Sequence, residues 1–538
     1  MKLHVAPLLL ALLGPGCAPD RDPALDRPRV VTGPIPLKAE VAYVDGALDR
    51  VVVVAADPGA PITTFAVGRR PRWATPTPDR ARLLVITHGE ERAEVGLADE
   101  PPTLWDVAVD GSRAPRAYPV GSPFDRLAIS ADGTLAIAHF SESGPDADGF
   151  FRNPNELAVI DLAAEDPEAA VTLRTLRSFG SAPSAVVLSP PMVLPGAADP
   201  LPRVFAFVLA EDRISIVDAS HPDRAEITLR LDRAGTRVTP REVVFAPRTA
   251  TAYVRSDGAA DILEVLLLAE PVPDEAPLGN DFQAVLAELG AGAGPADIDV
   301  YDDADGRRFV LAASPSTREL VVIDADTAEF LRVPVPDPID RIVLFPPGDA
   351  TPTTAVLASI GPHAPRVHVL DLAGIDADLV PRAIETIAAG APVMAVEPVP
   401  GRELALLVHD DDRTVLGLLD LAVGSISPLE GVARLDTYAF TVGGGFLVAG
   451  TANVARLGLL ELDNLHPSDV PPRRRAGPSL LVAQRRALRR PRRPARARHR
   501  VAVAHRRRRP RGRPRRLPGH RPPRGALTCA DRCCSLSR

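Results

Sequence analysis

Cysteine is almost missing from this chain of 538 residues: Cys17 stands alone until Cys529, Cys533 and Cys534. A body without thiols cannot be a disulfide scaffold, so whatever fold it has must rest on an apolar core. Lysine is equally scarce, with Lys2 and Lys38 the only two, and aromatic residues make up 4%. No G-x-x-x-x-G-K-[ST] loop occurs, and GVARLDTYAFTVGGG (431 to 445) lacks the strand-to-helix setting of a dinucleotide site, so nucleotide binding has no motif behind it. Neither G-x-S-x-G nor H-E-x-x-H is present, which removes the usual signatures of serine hydrolases and zinc proteases.

What the chain does have is enough apolar material for a large core, at 46% hydrophobic and 24% charged residues. Its 58 prolines and 39 glycines are scattered without period, which excludes collagen and suits many short elements joined by turns. Charge is divided unevenly. Residues 473 to 538 carry 24 of the 62 basic side chains and a single acid, Asp531, leaving 38 basic against 68 acidic residues upstream. An acidic body with a net charge of about -30 repels nucleic acid and anionic membrane, so no specific nucleic-acid partner is expected through it.

The first residues combine Lys2 with an apolar run, Leu3 to Leu13, interrupted only by His4 and Pro7. At about 1.5 Å per residue the run is too short to span a bilayer and has the form of a secretory signal. Small residues, Gly14 and Gly16, flank Pro15 just before Cys17. This arrangement resembles the bacterial lipoprotein lipobox, with Gly14 where that pattern prefers leucine, and implies that the Cys17 thiol is acylated and becomes the new N-terminus after cleavage. An ordinary signal peptide with an incidental cysteine is the alternative. The expected division is therefore a signal peptide at 1 to 17, a proline-rich tether at 18 to 38, a body at 39 to 472 and the arginine-rich tail from 473.

The body is repetitive. A short apolar strand closing on aspartate returns as TLWDVAVD, ELAVID, RISIVD, ELVVID, RVHVLD, TVLGLLD and RLGLLELD, ending at Asp110, Asp161, Asp218, Asp324, Asp371, Asp420 and Asp463. The spacings are 51, 57, 106, 47, 49 and 43 residues, and the double step contains DILEVLLLAE (261 to 270) as a degenerate copy. Before each copy lies an apolar strand, a polar turn and another strand, as in LAISADGTLAIAH (127 to 139), which is a hairpin signature. Together with VAYVDGALDRVVVVAADPGAPITTFAV (41 to 67), nine repeat-like segments can be counted. DFQAVLAELG (281 to 290) is the best candidate for a short helix.

Four short antiparallel strands recurring at this interval are what a β-propeller blade needs, because one blade cannot bury both its faces alone. The expected fold is all-β, a propeller of about seven or eight four-stranded blades with a shared closing blade, two smaller propellers being the alternative. The repeated aspartates fall at strand ends, where a carboxylate accepts backbone N-H groups and starts a turn, so their expected role is structural. The SADG turn (Ser130 to Gly133) and the VID strands at 159 to 161 and 322 to 324 make this repeat similar to YVTN-type and lactonase-like propeller repeats of bacterial envelope proteins. That resemblance implies architecture and an envelope location, not a catalytic set.

No cofactor is expected. DADG occurs twice, and Asp146, Asp148, Asp303 and Asp305 are the least poor candidates for Ca2+. Around the second copy Tyr301 stands where a 12-residue calcium loop has its first Asp and Ala312 where it has its bidentate Glu, so turn formation is the simpler account. His139, His221, His363, His368 and His409 are dispersed over separate repeats, and HDDD (409 to 412) has the composition of a solvated hairpin turn. The tail has three readings: a disordered polyanion binder without aromatics for base stacking, a segment folded back on the acidic body, or GC-rich DNA translated out of frame, which we favour. The functional expectation is an exported monomer, lipid-anchored at the outer membrane or periplasmic face. Its ring would serve as a binding or assembly scaffold for a protein or glycan of the envelope. The alternative is a lactonase-like hydrolase using the central channel.

Overall fold

Apolar runs separated by turn residues do become strands. The computed structural model describes residues 31 to 462 apart from loop segments at 56–61, 91–98, 142–152, 178–181, 233–236, 272–278, 347–350, 362–364, 376–383, 411–415, 430–436, 441–445 and 452–453. The chain divides into two units, 1 to 484 and 485 to 538, and everything described lies in the first.

Sheet one contains β1 (Val31–Pro36), β2 (Glu40–Asp45), β3 (Arg50–Ala55) and β4 (Thr63–Ala66). Sheet two is β5 (Pro71–Pro76), β6 (Arg82–Thr87), β7 (Thr103–Ala108) and β8 (Arg116–Pro119). Sheet three is β9 (Arg126–Ile129), β10 (Leu135–His139), β11 (Glu156–Asp161) and β12 (Val171–Thr175). Sheet four holds β13 (Ala185–Leu188), β14 (Phe205–Ala210), β15 (Arg213–Asp218) and β16 (Ile227–Arg230). Sheet five holds β17 (Thr239–Phe245), β18 (Thr251–Asp257), β19 (Asp261–Ala269) and β20 (Phe282–Gly290). Next come β21 (Asp297–Asp302), β22 (Arg308–Ser314), β23 (Glu319–Asp324) and β24 (Phe330–Pro334). Sheet seven is β25 (Arg341–Phe345), β26 (Thr354–Ala358), β27 (Arg366–Asp371) and β28 (Glu385–Ala388). Sheet eight is β29 (Val393–Pro398), β30 (Leu404–His409), β31 (Leu416–Asp420) and β32 (Ser425–Pro428). A ninth sheet has three described strands, β33 (Thr437–Phe440), β34 (Phe446–Thr451) and β35 (Val454–Glu461).

Within each sheet every strand pairs antiparallel with its predecessor, and the first strands of most neighbouring sheets adjoin one another. The first strand is thus innermost and the fourth outermost. Burial follows that order: the second and third strands are covered on both faces and are apolar almost throughout, as in FAFVLA of β14, whereas fourth strands such as ITLR and ETIA are largely exposed. Eight apolar clusters fill the eight spaces between successive sheets, for example Leu311, Leu320, Ile342, Leu357 and Leu370 between sheets six and seven. Each such fully buried side chain contributes about 2 kcal/mol relative to exposure.

The ring closes where β1 lies against β33 and β34, with Arg80 Nη1 donating to Phe440 O at 2.8 Å. The protein is therefore an all-β propeller, whose described residues form eight four-stranded blades and one three-stranded sheet at the seam. Among the described residues the first blade is built from β1 to β4 in sequence and meets the last sheet by packing. Residues 31–36, expected in the tether, form β1, because Ile35 and neighbouring Leu37 find places in the core between sheets one and two.

A second correction concerns DFQAVLAELG. Its Ala, Leu and Glu content favours helix locally, yet β20 pairs with β19 over nine residues while Phe282 and Leu289 bury themselves. A complete ladder plus two anchored side chains outweighs a few tenths of a kcal/mol of propensity per residue.

Arginine, the basic residue this chain uses, fastens blade to blade. Arg82 Nη2 donates to Gly133 O at 2.6 Å, Arg116 to Ala164 O and Glu165 O, and Arg174 to Pro222 O, Arg224 O and the Glu226 carboxylate. A guanidinium with five donors can hold several turn carbonyls at once, which an ammonium cannot do in a fixed plane.

Candidate binding site on the inner wall

The recurring aspartates sit at the end of the third strand, on the turn into the outermost one. Asp161 Oδ1 accepts from the N-H groups of Ala163 and Ala164, Asp324 from Asp326 and Thr327, and Asp420 from Ala422 and Val423. Asp110 accepts from Ser112, and Asp371 from Ala373. Asp218 adds to its turn bonds with Ser220 and His221 an ion pair to Arg203, its side chain fully buried. Asp463 lies outside the described residues. The six described carboxylates are all engaged in these turns beyond the third strand, so the sequence signal most visible in the chain marks turns toward the periphery.

Asp303 is likewise occupied: Oδ1 accepts from the N-H groups of Asp305 and Arg307, and Oδ2 pairs with the Arg307 guanidinium at 2.9 Å. Among the described residues no group of three acidic, cysteine or histidine side chains is arranged to hold a metal ion. Asp146, Asp148 and His363 lie outside them, as does Cys17. His139 and His409 are buried at strand ends and bonded to carbonyls of Phe140 and of Ala391 and Pro392, and burial lowers the His139 pKa to about 4. His409 therefore belongs to β30, not to the solvated turn its HDDD context suggested.

The inner wall tells a different story. In sheets two, five and eight, the first strand carries a bulge at its start, and the extra residue, Arg72, Arg241 or Met394, is exposed. Bulges re-aim side chains and gather beside functional sites. Next to Arg72, Trp73 is 37% exposed, and the Arg126 guanidinium of the next blade stacks over its indole at 4.5 Å. An aromatic plate with a cation on it, left open to solvent on an inner strand, is a contact surface for a ligand.

Across blades five to seven runs a string of charges. Arg241 Nε pairs with Asp257 Oδ2 at 2.6 Å, Asp257 Oδ1 with Arg255 Nη1 at 3.5 Å, and Arg255 Nε with Glu242 Oε2 at 2.9 Å. Glu242 shares a hydrogen bond with Asp297, whose Oδ1 lies 3.5 Å from Arg341 Nη1. Glu242 Oε2 also accepts from Ile298 N and Asp297 Oδ2 from Ile342 N at 2.6 Å, so each carboxylate caps the first strand of the blade that follows.

Burial, reinforced by the negative charge of Glu242, pushes the Asp297 carboxyl up to about 7, against the opposing pull of the Ile342 N-H and Arg341. Asp299, two residues along the same face of β21, rises to about 6, mainly through burial. Near neutrality this wall exchanges protons, and it presents Arg341 with its side chain 54% exposed. Glu242, Asp297, Asp299 and Arg341 escaped sequence reading because they are distributed over three repeats and carry no motif. Their one local signal is the i, i+2 spacing of acids in ADIDV, where a strand interior should be apolar on both sides.

No protein-family model matches the chain, and no curated protein matches it. Among solved structures it is similar to the dihydro-heme d1 dehydrogenase NirN in complex with DHE, at 14% identity over 76% of this chain and 75% of that one, with a TM-score of 0.43. It is also similar to the Cps50 (Swd1) β-propeller domain of Myceliophteria thermophila, at 11% identity over 74% and 97% with a TM-score of 0.36. A eukaryotic initiation factor structure gives 14% over 76% and 90%, with a TM-score of 0.44. At these identities the likeness extends to fold at most, and the propeller assignment stands on the sheets themselves.

Proposed function

We propose that the protein is an envelope lipoprotein, held by acylated Cys17, whose propeller is a binding or assembly scaffold for a protein or glycan ligand. The observation that carries this reading is the set of side chains presented on half-buried inner strands: Arg72, Trp73 with Arg126, Arg241 and Met394. Side chains of that kind add nothing to the core and everything to a contact surface. Two experiments test it. Incorporation of labelled palmitate should be lost in Cys17→Ser, and an unlabelled wild type would refute the anchor. A photoreactive residue at Met394 should yield a discrete crosslinked species in envelope fractions, while the same probe at Val423, on an outer turn, should not. Equal adducts at both positions, or none at Met394, would remove the inner-wall site.

A hydrolase working in the channel is the second reading, favoured by one observation, the buried Asp297 carboxyl beside Glu242, raised to about 7. A carboxyl that is half protonated near neutrality is suited to general acid-base work. Turnover of a panel of lactones by the wild type, reduced at least about 100-fold in Asp297→Asn, would establish it. Absence of turnover would leave the scaffold.

A further inference from the structure

Away from the channel, on the two outer strands of blade seven and the connection that enters it from blade six, a hydroxyl, an imidazole and a carboxylate stand in line. Thr386 on the outermost strand β28 is exposed, and its Oγ1 lies 3.0 Å from His368 Nδ1. His368 on β27 is fully buried, and its Nε2 lies 3.1 Å from Asp337 Oδ2, in the connection from β24 to β25. The other oxygen of Asp337, itself 7% exposed, is held by the Arg366 guanidinium. With Asp337 ionised, Nε2 must carry the imidazole proton, which leaves Nδ1 as an acceptor for the Thr386 hydroxyl.

Backbone geometry adds a donor. Ala389 N donates to Pro365 O at 2.7 Å, which fixes the phase of the β27–β28 ladder. Bonded pairs alternate with unbonded ones, so the facing pair His368 and Thr386 is unbonded and the Thr386 N-H points outward from the sheet. A nucleophile whose own N-H projects beside it can stabilise an oxyanion formed on that nucleophile.

We infer that Thr386 is an activated nucleophile that accepts acyl groups from activated carboxylic esters. The hydroxyl oxygen attacks the ester carbonyl and forms a C–O bond, its proton passing to His368 Nδ1 while Nε2–H remains on Asp337. Collapse of the tetrahedral intermediate breaks the bond to the leaving alcohol, which takes that proton. The products are O-acyl Thr386 and the free alcohol, and water attacking by the same route releases the acid. Burial keeps the imidazole below its ordinary pKa and therefore neutral, as a base must be.

The test uses the full chain and p-nitrophenyl acetate, with peptide mapping by mass spectrometry. Acetylation should fall on Thr386, disappear in Thr386→Ala, persist in Thr386→Ser and slow by about 100-fold or more in His368→Asn. Because His368→Asn disturbs a buried position, the wild-type pH profile gives a second reading: a rate level through neutrality and falling in acid supports the imidazole base. No adduct on Thr386, an undiminished rate in a folded His368→Asn protein, or a rate that keeps climbing with hydroxide would overturn the assignment.

Discussion

Asn at position 297 would keep the shape of the inner-wall carboxyl and remove its proton chemistry. Its amide can still accept from Ile342 N-H and still donate to Glu242, so the blade-to-blade bonds survive. What changes is the response to pH. In the unfolded chain Asp297 titrates near 3.8, and in the folded ring near 7. The folded state therefore binds more protons than the unfolded state between those values, and this residue makes stability fall as pH rises from about 4 to about 7, with the loss complete above that window. A rise of that size converts to about 4 kcal/mol, of which the part lost between pH 5 and pH 8 is about 2 to 3 kcal/mol. Relative to the wild type, Asp297→Asn should gain about 2 to 3 kcal/mol between pH 5 and pH 8. Urea unfolding followed by far-ultraviolet circular dichroism at both pH values measures the difference, and comparison with the wild type cancels the many other carboxylates. If the gap between the two proteins is the same at pH 5 and pH 8, the carboxyl is not buried against Glu242 and the site is drawn wrongly.

Further expectations follow from the same geometry. Asp324→Ala, which removes one turn acceptor at a half-buried position, should cost about 1 kcal/mol, whereas Asp218→Ala should cost about 2 kcal/mol because it also removes the fully buried partner of Arg203, which keeps Asp281; thermal unfolding of the two variants ranks them. Leu357→Ala, in the cluster between blades six and seven, should lower stability by about 3 kcal/mol in denaturant titration, and a loss below about 1 kcal/mol would contradict its full burial. Arg126→Ala should leave the fold intact, shift the Trp73 fluorescence and weaken crosslinking at Met394; unchanged emission would mean that the stack is not formed.

The recurring strand-and-aspartate unit was legible because its cause is local: apolar runs long enough for a strand, ending in a side chain that accepts its own turn. All nine repeat-like segments became sheets. The errors share one cause, which is that neighbours supplied what the local sequence did not. VTGPIP became β1 because Ile35 and Leu37 had a core to enter, and FQAVLAELG became β20 because β19 offered nine partners. The inner-wall site was hidden for a stronger version of that reason. Glu242, Asp297 and Arg341 are nearly a hundred residues apart from first to last, and only the stacking of first strands joins them. The aspartates that recur in sequence proved to be far from that wall, since repetition reports what every blade needs and a binding site needs residues that differ between blades.

The inner wall of one ring is assembled from the first strands of successive blades. A crystal structure of the full chain tests this most directly. Sheets arranged about a single axis are expected, with Glu242, Asp297, Asp299 and Arg341 contiguous on the inner wall. Two separate smaller rings, or the same four side chains divided among outer surfaces, would contradict it.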